Sequence, residues 1–291
     1  MQNAAQWTTM ADLSLSFASD DLPLWKRNVV ERIQHHVGKQ SLQHAWDHFH
    51  DNDAGTENFW QTVIDSLGLA ISTYGNQLDA IPATGPVLIV ANHPFGLVDG
   101  AAVAWLVSQR RKDFKVILWD LFDRLDSGRD YFLPMDLTEN SFQSRRQNLA
   151  VCQQSVHQLL SGGAVIVFPA GSVERARHPF ARPEELNWHP FTEKIAVSSE
   201  APVLPLYISG HNSWLFHAAS CFSETLRLSL FFREISRKLD SPVNVTIGQP
   251  IAPELINHWT ESNIVMRRLM DATLDLEHIF RQRVNETQLC G

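Results

Sequence analysis

No apolar run in this 291-residue chain approaches the ~18 residues that a membrane-spanning helix needs. The opening residues, Met1-Gln-Asn-Ala-Ala-Gln6, have neither the basic flank nor the apolar core of an export signal. Cysteine is scarce. Cys152, Cys221 and Cys290 stand at spacings that fit neither a disulfide framework nor a metal site, which is the usage of a reducing compartment. Cations are also in deficit: 24 Lys and Arg against 32 Asp and Glu leave a formal net charge of −8. That balance argues against nucleic acid as a partner and gives no global attraction to an anionic membrane. The expectation is a cytoplasmic or peripheral protein that meets any anionic ligand with a local basic patch.

What is present suits a globular chain. Hydrophobic residues make up 44% and charged residues 19%, enough to bury a substantial core. Residues 1–80 read as a helical region. Leu24-Trp25, Val29-Val30, Ile33 and Val37 recur near helical spacing, as do Leu42, Ala45-Trp46 and Phe49, and then Phe59-Trp60, Val63-Ile64, Leu67 and Ile71. His44 and His48 would share a helical face near Asp47 and Asp51, but two ligands do not make a metal site, and a solvated polar face is the default. Ile81-Pro-Ala-Thr-Gly-Pro86 is a turn-rich link into an α/β region that occupies residues 81–291.

The chain is organised around Val87-Leu-Ile-Val-Ala-Asn-His93-Pro-Phe-Gly-Leu-Val-Asp99. Its first five residues read as a buried strand, and a helix is expected from about Gly100 to Lys112. A histidine at the carboxyl end of a buried strand, with a carboxylate shortly after, is one way to build a general base held in a fixed tautomer. Asp99 is equally a good helix cap, and a His-Pro-Phe-Gly turn needs no catalytic role.

Ala164 to Phe168 is a second buried strand, followed by the tight turn Pro169-Ala-Gly-Ser172. If the two strands are parallel, Gly171 and Ser172 share an edge with His93 and offer backbone N–H groups and a hydroxyl to an oxyanion or phosphate. Glu174 and Arg175 come next and either pair or face a ligand. Arg110, Arg111 and Lys112 either complement a helix dipole or form a docking patch for an acidic carrier protein or lipid headgroups. Asn140 to about Ser161 reads as a helix with Phe142, Leu149, Cys152, Val156 and Leu159 or Leu160 mainly on one side. In its first two turns, Arg145 and Arg146 are either plainly solvated or anion contacts.

Shorter strands are expected at Lys115–Leu118, Tyr131–Met135, Val203–Ile208 and Val243–Ile247, with Pro205 suggesting an edge or bulged position. Leu226 to Lys238 combines a bulky apolar face with four cations and serves either as a membrane-surface helix or as a packed one. A closing helix is expected from Ser262 to Phe280.

Three blocks in order, Asn92-His93 with Asp99, Phe168-Pro-Ala-Gly171 and Pro202-Val-Leu-Pro-Leu-Tyr-Ile208, resemble the glycerolipid acyltransferase superfamily. That superfamily includes the 1-acylglycerol-3-phosphate acyltransferases and other lysophospholipid acyltransferases, and the chain is most similar to its hemolysin-related bacterial branch. Two departures stand out. Five residues, rather than four, separate His93 from Asp99, and Ala170 and Val173 stand where the second block usually carries an acid and an arginine.

The resemblance implies a mixed, mostly parallel central sheet flanked by helices, with the N-terminal helical layer in addition. It implies a membrane-peripheral acyltransferase on the cytoplasmic face of the inner membrane, moving an acyl group from a thioester on acyl carrier protein or coenzyme A to a lipid hydroxyl or amine. His93 would act as base and Asp99 as its partner. Asn92, Phe95, Gly96, Gly171, Ser172, Glu174 and Arg175 would form substrate walls, with Arg175 in place of the family's missing arginine. No cofactor or metal is implied. Two alternatives stay open: glycyl transfer from a carrier protein to lipid A, and a non-catalytic lipid- or partner-binding module on the same fold.

Overall fold

Val87-Leu-Ile-Val-Ala91 has no polar side chain on either face, so it is stable only where both faces are covered. In the computed structural model, which describes residues 39–52, 58–119, 128–136, 141–178, 180–181, 183–222 and 224–289, it is the middle strand of a seven-stranded sheet. The helical pattern expected over Leu24 to Val37 lies outside the described residues.

In chain order the elements are helices α1 (Lys39–Asn52) and α2 (Phe59–Leu67), strands β1 (Ala70–Gly75) and β2 (Val87–Ala91), helix α3 (Leu97–Ser108), and strands β3 (Phe114–Trp119) and β4 (Phe132–Met135). Helix α4 (Phe142–Leu160) and strand β5 (Ala164–Val167) follow, then the short strands β6 (Arg175–Ala176) and β7 (Pro183–Glu184), helix α5 (Pro190–Ser199) and strand β8 (Val203–Ile208). The chain closes with α6 (Trp214–Phe222), α7 (Glu224–Lys238), β9 (Pro242–Ile247), α8 (Pro253–Glu261), α9 (Val265–Leu274) and α10 (Leu276–Leu289).

The sheet order is β1-β9-β8-β2-β5-β3-β4. Every neighbouring pair is parallel except β8 with β9. This is the mixed, mostly parallel sheet flanked by helices that the sequence implied. Alternate residues of the strands point to opposite faces. Leu88, Val90, Val165, Val167, Ile117, Leu133 and Val203 meet Val151 and Leu159 of α4, Ile195 of α5, Ile256 of α8 and Leu269 of α9 in one buried core.

The described residues form two compact units. Among them, one unit lies within 39–69, 175–184 and 211–241; the other lies within 70–174, 185–210 and 242–289 and contains the whole seven-stranded sheet. The first unit packs α1 on α2, α2 ends in a left-handed Gly68, and the β6–β7 ribbon lies against α6.

Several expectations are corrected. Residues 1–80 were expected to hold no strand, yet Ala70-Ile-Ser-Thr-Tyr-Gly75 is the edge strand β1 beside β9. Its mostly exposed polar residues become a strand only because a partner offers a ladder. Helix α4 forms where expected but buries Ser144, Val151, Ser155 and Leu159, leaving Phe142, Leu149 and Leu160 exposed. Of the edge and bulged positions that Pro205 suggested, the structure gives the bulged one: its strand is interior, and the β8–β9 ladder slips by one residue between Leu206↔Ile247 and Val203↔Ile251. Helix α7 buries Arg227, Leu230, Glu234 and Ile235, in keeping with the packed one of the two readings that the sequence left open. The closing helix is two helices, α9 and α10.

Candidate active site

Parallel pairing of β2 with β5, with Val90 opposite Val167, brings both strand ends to the same carboxyl edge. That edge is where open α/β sheets hold ligands. His93 leaves β2 there, and its ring stacks on Phe168 at the end of β5, with centroids 4.4 Å apart.

The five residues between His93 and Asp99 do not separate their side chains. Gly96 adopts a left-handed φ of 78°, which folds the chain back on itself just before α3. Asp99, in the first turn of α3, is fully buried, and its Oδ2 accepts hydrogen bonds from the Phe95 N–H at 2.8 Å and the Gly96 N–H at 2.9 Å. His93 Nδ1 lies 3.0 Å from the same oxygen. The distance is that of a hydrogen bond, but the ring N–H points off the line to the oxygen, and Asp99 Oδ1 has no donor. Asp99 therefore holds the turn and also faces the imidazole. The cap reading and the partner reading of Asp99 describe one carboxylate.

Asn92 is buried and bonded to the main chain of β8. Its Nδ2 donates to the Ile208 carbonyl at 2.9 Å, and its Oδ1 accepts the Ile208 N–H at 2.7 Å. In effect the side chain extends the β2–β8 ladder beyond its last pair, and it locks the residue before His93. Phe95 is buried against Gly210, where an added Cβ would come within 2.9 Å of its ring.

At the end of β5 the Gly171 N–H donates to the Phe168 carbonyl at 3.0 Å. That corrects the expectation that it faces an oxyanion, because the donor is already engaged within its own turn. Ser172 lies in the same turn.

Two acids complete the surroundings of His93. The Glu174 N–H donates to the His93 carbonyl at 3.2 Å, and the His93 N–H donates to Glu185 Oε2 at 3.3 Å. Burial, then the charges of Glu185 and Asp99, pushes Glu174 up to about 8; the Asn92 amide offsets only part of this. Burial also raises Glu185 to about 7 against the lowering effect of hydrogen bonds from Trp188 and the His93 backbone.

Glu185 is the residue that sequence reasoning missed. It follows a Pro-Glu pair in a loop, with no fixed spacing to His93, and only the returning chain brings it there.

The basic residues distribute differently from the expectation. Arg111 is buried, and its guanidinium pairs in bidentate fashion with Asp113 while donating to the carbonyls of Pro82, Gly85 and Gly162. Those carbonyls precede β2 and β5, so Arg111 sits at the sheet edge opposite His93 and is a structural staple, not a docking contact. Arg110 donates to the Ile81 carbonyl at the same edge, and Lys112 beside it is exposed. Arg145 and Arg146 are exposed in the first turns of α4. Arg175 lies in the first unit, on β6 opposite Glu184. The His48 ring bonds Ser66 Oγ at 3.1 Å, and among the described residues no three His, Cys, Asp or Glu side chains converge as metal ligands.

A family profile described as Acyltransferase matches residues 31–236. A lyso-glycine lipid O-acyltransferase of Phocaeicola vulgatus is 22% identical over 232 residues, covering 77% of this chain and 79% of that protein. A lyso-glycine lipid O-acyltransferase of Bacteroides thetaiotaomicron is 24% identical over 202 residues, covering 67% and 70%. Among solved structures, the 1-acyl-sn-glycerophosphate acyltransferase PlsC of Thermotoga maritima aligns with a TM-score of 0.43 and 16% identity over 85% of this chain and 88% of that one.

Proposed function

The chain belongs to the acyltransferase family, and from that premise we propose that it transfers a fatty acyl group from a thioester to the hydroxyl of a lyso-lipid, with His93 as the general base. The observation that carries this reading is the buried Asp99 carboxylate 3.0 Å from His93 Nδ1. It orients the ring so that Nε2 faces the acceptor, and it stabilises the imidazolium that forms. In the reaction Nε2 takes the hydroxyl proton as the oxygen attacks the thioester carbonyl. The tetrahedral intermediate then expels the thiolate, and His93 returns the proton to sulfur. No covalent enzyme intermediate is required. The relatives' names specify O-acyl transfer to a lyso-lipid, which favours a hydroxyl acceptor and an acyl donor over aminoacyl transfer.

Among the described residues no helix is long and apolar enough to cross a membrane. A lipid acceptor must then be met at a surface. In the first unit, Phe180 is 85% exposed and Trp214 59% exposed, their ring centroids 6.3 Å apart, with Leu215 and Phe222 exposed on the same helix, α6. Exposed aromatic and aliphatic side chains of this kind favour the boundary of a lipid surface. This patch, rather than α7, is the proposed bilayer contact.

The test is single-turnover transfer into lyso-lipid from long-chain acyl and aminoacyl thioesters on both coenzyme A and carrier protein, with His93→Ala in parallel. Acyl transfer abolished in His93→Ala supports the reading. Transfer only from aminoacyl donors, or none by folded protein that still binds lipid, overturns it in favour of a glycyl transferase or a binding module.

A further inference from the structure

The chemistry above uses the ring of His93 and Asp99, but the structure also grips the His93 peptide from both sides. Its carbonyl accepts the Glu174 N–H at 3.2 Å, and its N–H donates to Glu185 Oε2 at 3.3 Å. Residues 174 and 185 are the two ends from which the segment carrying the β6–β7 ribbon departs and returns. The other oxygen of Glu185 accepts the Trp188 indole N–H at 3.0 Å. Trp188 is itself buried in the core beside the sheet, and the next residue, His189, donates its N–H to the Pro169 carbonyl at 2.9 Å. The carboxylate is thus fixed at both oxygens, one to a core side chain and one to the peptide of the histidine.

We propose that Glu185 is a positioning residue for acyl transfer, holding the His93 backbone and supplying a second negative charge that favours the imidazolium formed as the acceptor loses its proton. The proposal rests on the reading of His93 as base. A side chain whose rotamer is locked by packing holds a reacting group more closely than a free loop does.

The charge of Glu185 is itself conditional. Asp99 and Glu174 repel it, the His93 ring and N–H and the Trp188 N–H favour its ionised form, and Glu277 in α10 bears on Glu174. With Glu185 near 7, its charge and its hold on the His93 N–H strengthen over the range in which a histidine base becomes active.

The test uses the full chain with Glu185→Gln, Glu185→Ala and Trp188→Phe. Two readouts are taken: the pH profile of single-turnover transfer, and the titration of the His93 imidazole by NMR, assigned with His93→Ala. Gln keeps an acceptor for the His93 N–H but no charge. We expect Glu185→Gln to lower kcat about tenfold with KM unchanged, Glu185→Ala to lower it about a hundredfold, and Trp188→Phe to fall between. In Glu185→Gln the acid limb of the profile and the imidazole titration should both move to lower pH. Unmoved titration and wild-type kcat in a folded Glu185→Gln overturn the proposal, as does a loss confined to thermal stability. Absence of transfer by the wild type overturns the functional reading instead. In that case the NMR titration still decides whether Glu185 acts on His93.

Discussion

Replacing Asp99 by asparagine separates its two roles. Oδ2 receives the Phe95 N–H, the Gly96 N–H and the approach of His93 Nδ1, at 2.8, 2.9 and 3.0 Å. Neutralising it turns two charge-assisted bonds, each about 1.5–3 kcal/mol, into neutral bonds of about 0.5–1.5 kcal/mol, so the fold should lose about 2–3 kcal/mol. Alanine would instead leave two buried N–H groups without acceptors and cost about 2–6 kcal/mol. If Asp99 also supports His93, Asn should lower kcat by about 10²- to 10⁴-fold at temperatures where the protein stays folded, because neither the tautomer nor the imidazolium is then favoured. Denaturant unfolding and single-turnover kinetics on the same preparations read both quantities. A folded Asp99→Asn protein with destabilisation of this size but wild-type kcat would refute the dyad and leave Asp99 as a helix cap alone.

Arg111→Ala removes the donor from three backbone carbonyls and unpairs Asp113, so it should cost about 3 kcal/mol in denaturant unfolding while Lys112→Ala changes nothing measurable. Equal effects on carrier-protein or anion binding from both variants would restore a docking role to the pair. Glu174 is raised from 4.5 to about 8, so the native state holds a proton that the unfolded chain releases, and stability from this group is fullest below about pH 4.5 and lost as pH rises through 8. Thermal unfolding of Glu174→Gln should therefore show a higher Tm than wild type at pH 9 and a flatter dependence between pH 6 and 9. The double variant Trp214→Asp, Phe180→Asp should lose binding to lipid vesicles while keeping its Tm, since both rings are exposed. Retained vesicle binding would move the contact elsewhere.

The active centre was legible in part because its chemistry is local. His93 to Asp99 span only seven residues, from the end of β2 to the first turn of α3, and Gly96 at positive φ returns the carboxylate to the ring across the extra residue. Arg111 misled for the converse reason. Three cations at a helix end look the same in sequence whether they meet solvent or, as Arg111 does, close the far edge of a sheet. Helix α4 shows how weak a short apolar pattern is. Ser144 and Ser155 take the buried row while Phe142 and Leu149 stay outside, because the row is chosen by the neighbouring sheet and α5.

By itself the sequence determined the apolar strands Val87–Ala91, Ala164–Val167 and Val203–Ile208, since continuous β-branched runs leave the chain few arrangements, and it offered His93 and Asp99 as candidates without deciding whether the carboxylate reaches the ring. Tertiary structure alone decided which edge each cation reached, made a strand of Ala70–Gly75, and drew Glu174 and Glu185 onto the two sides of the His93 peptide. Those outcomes depend on contacts between residues far apart in the chain. No local spacing encodes them, and the buried carboxyls acquire their raised affinity for protons only when the folded chain removes them from water.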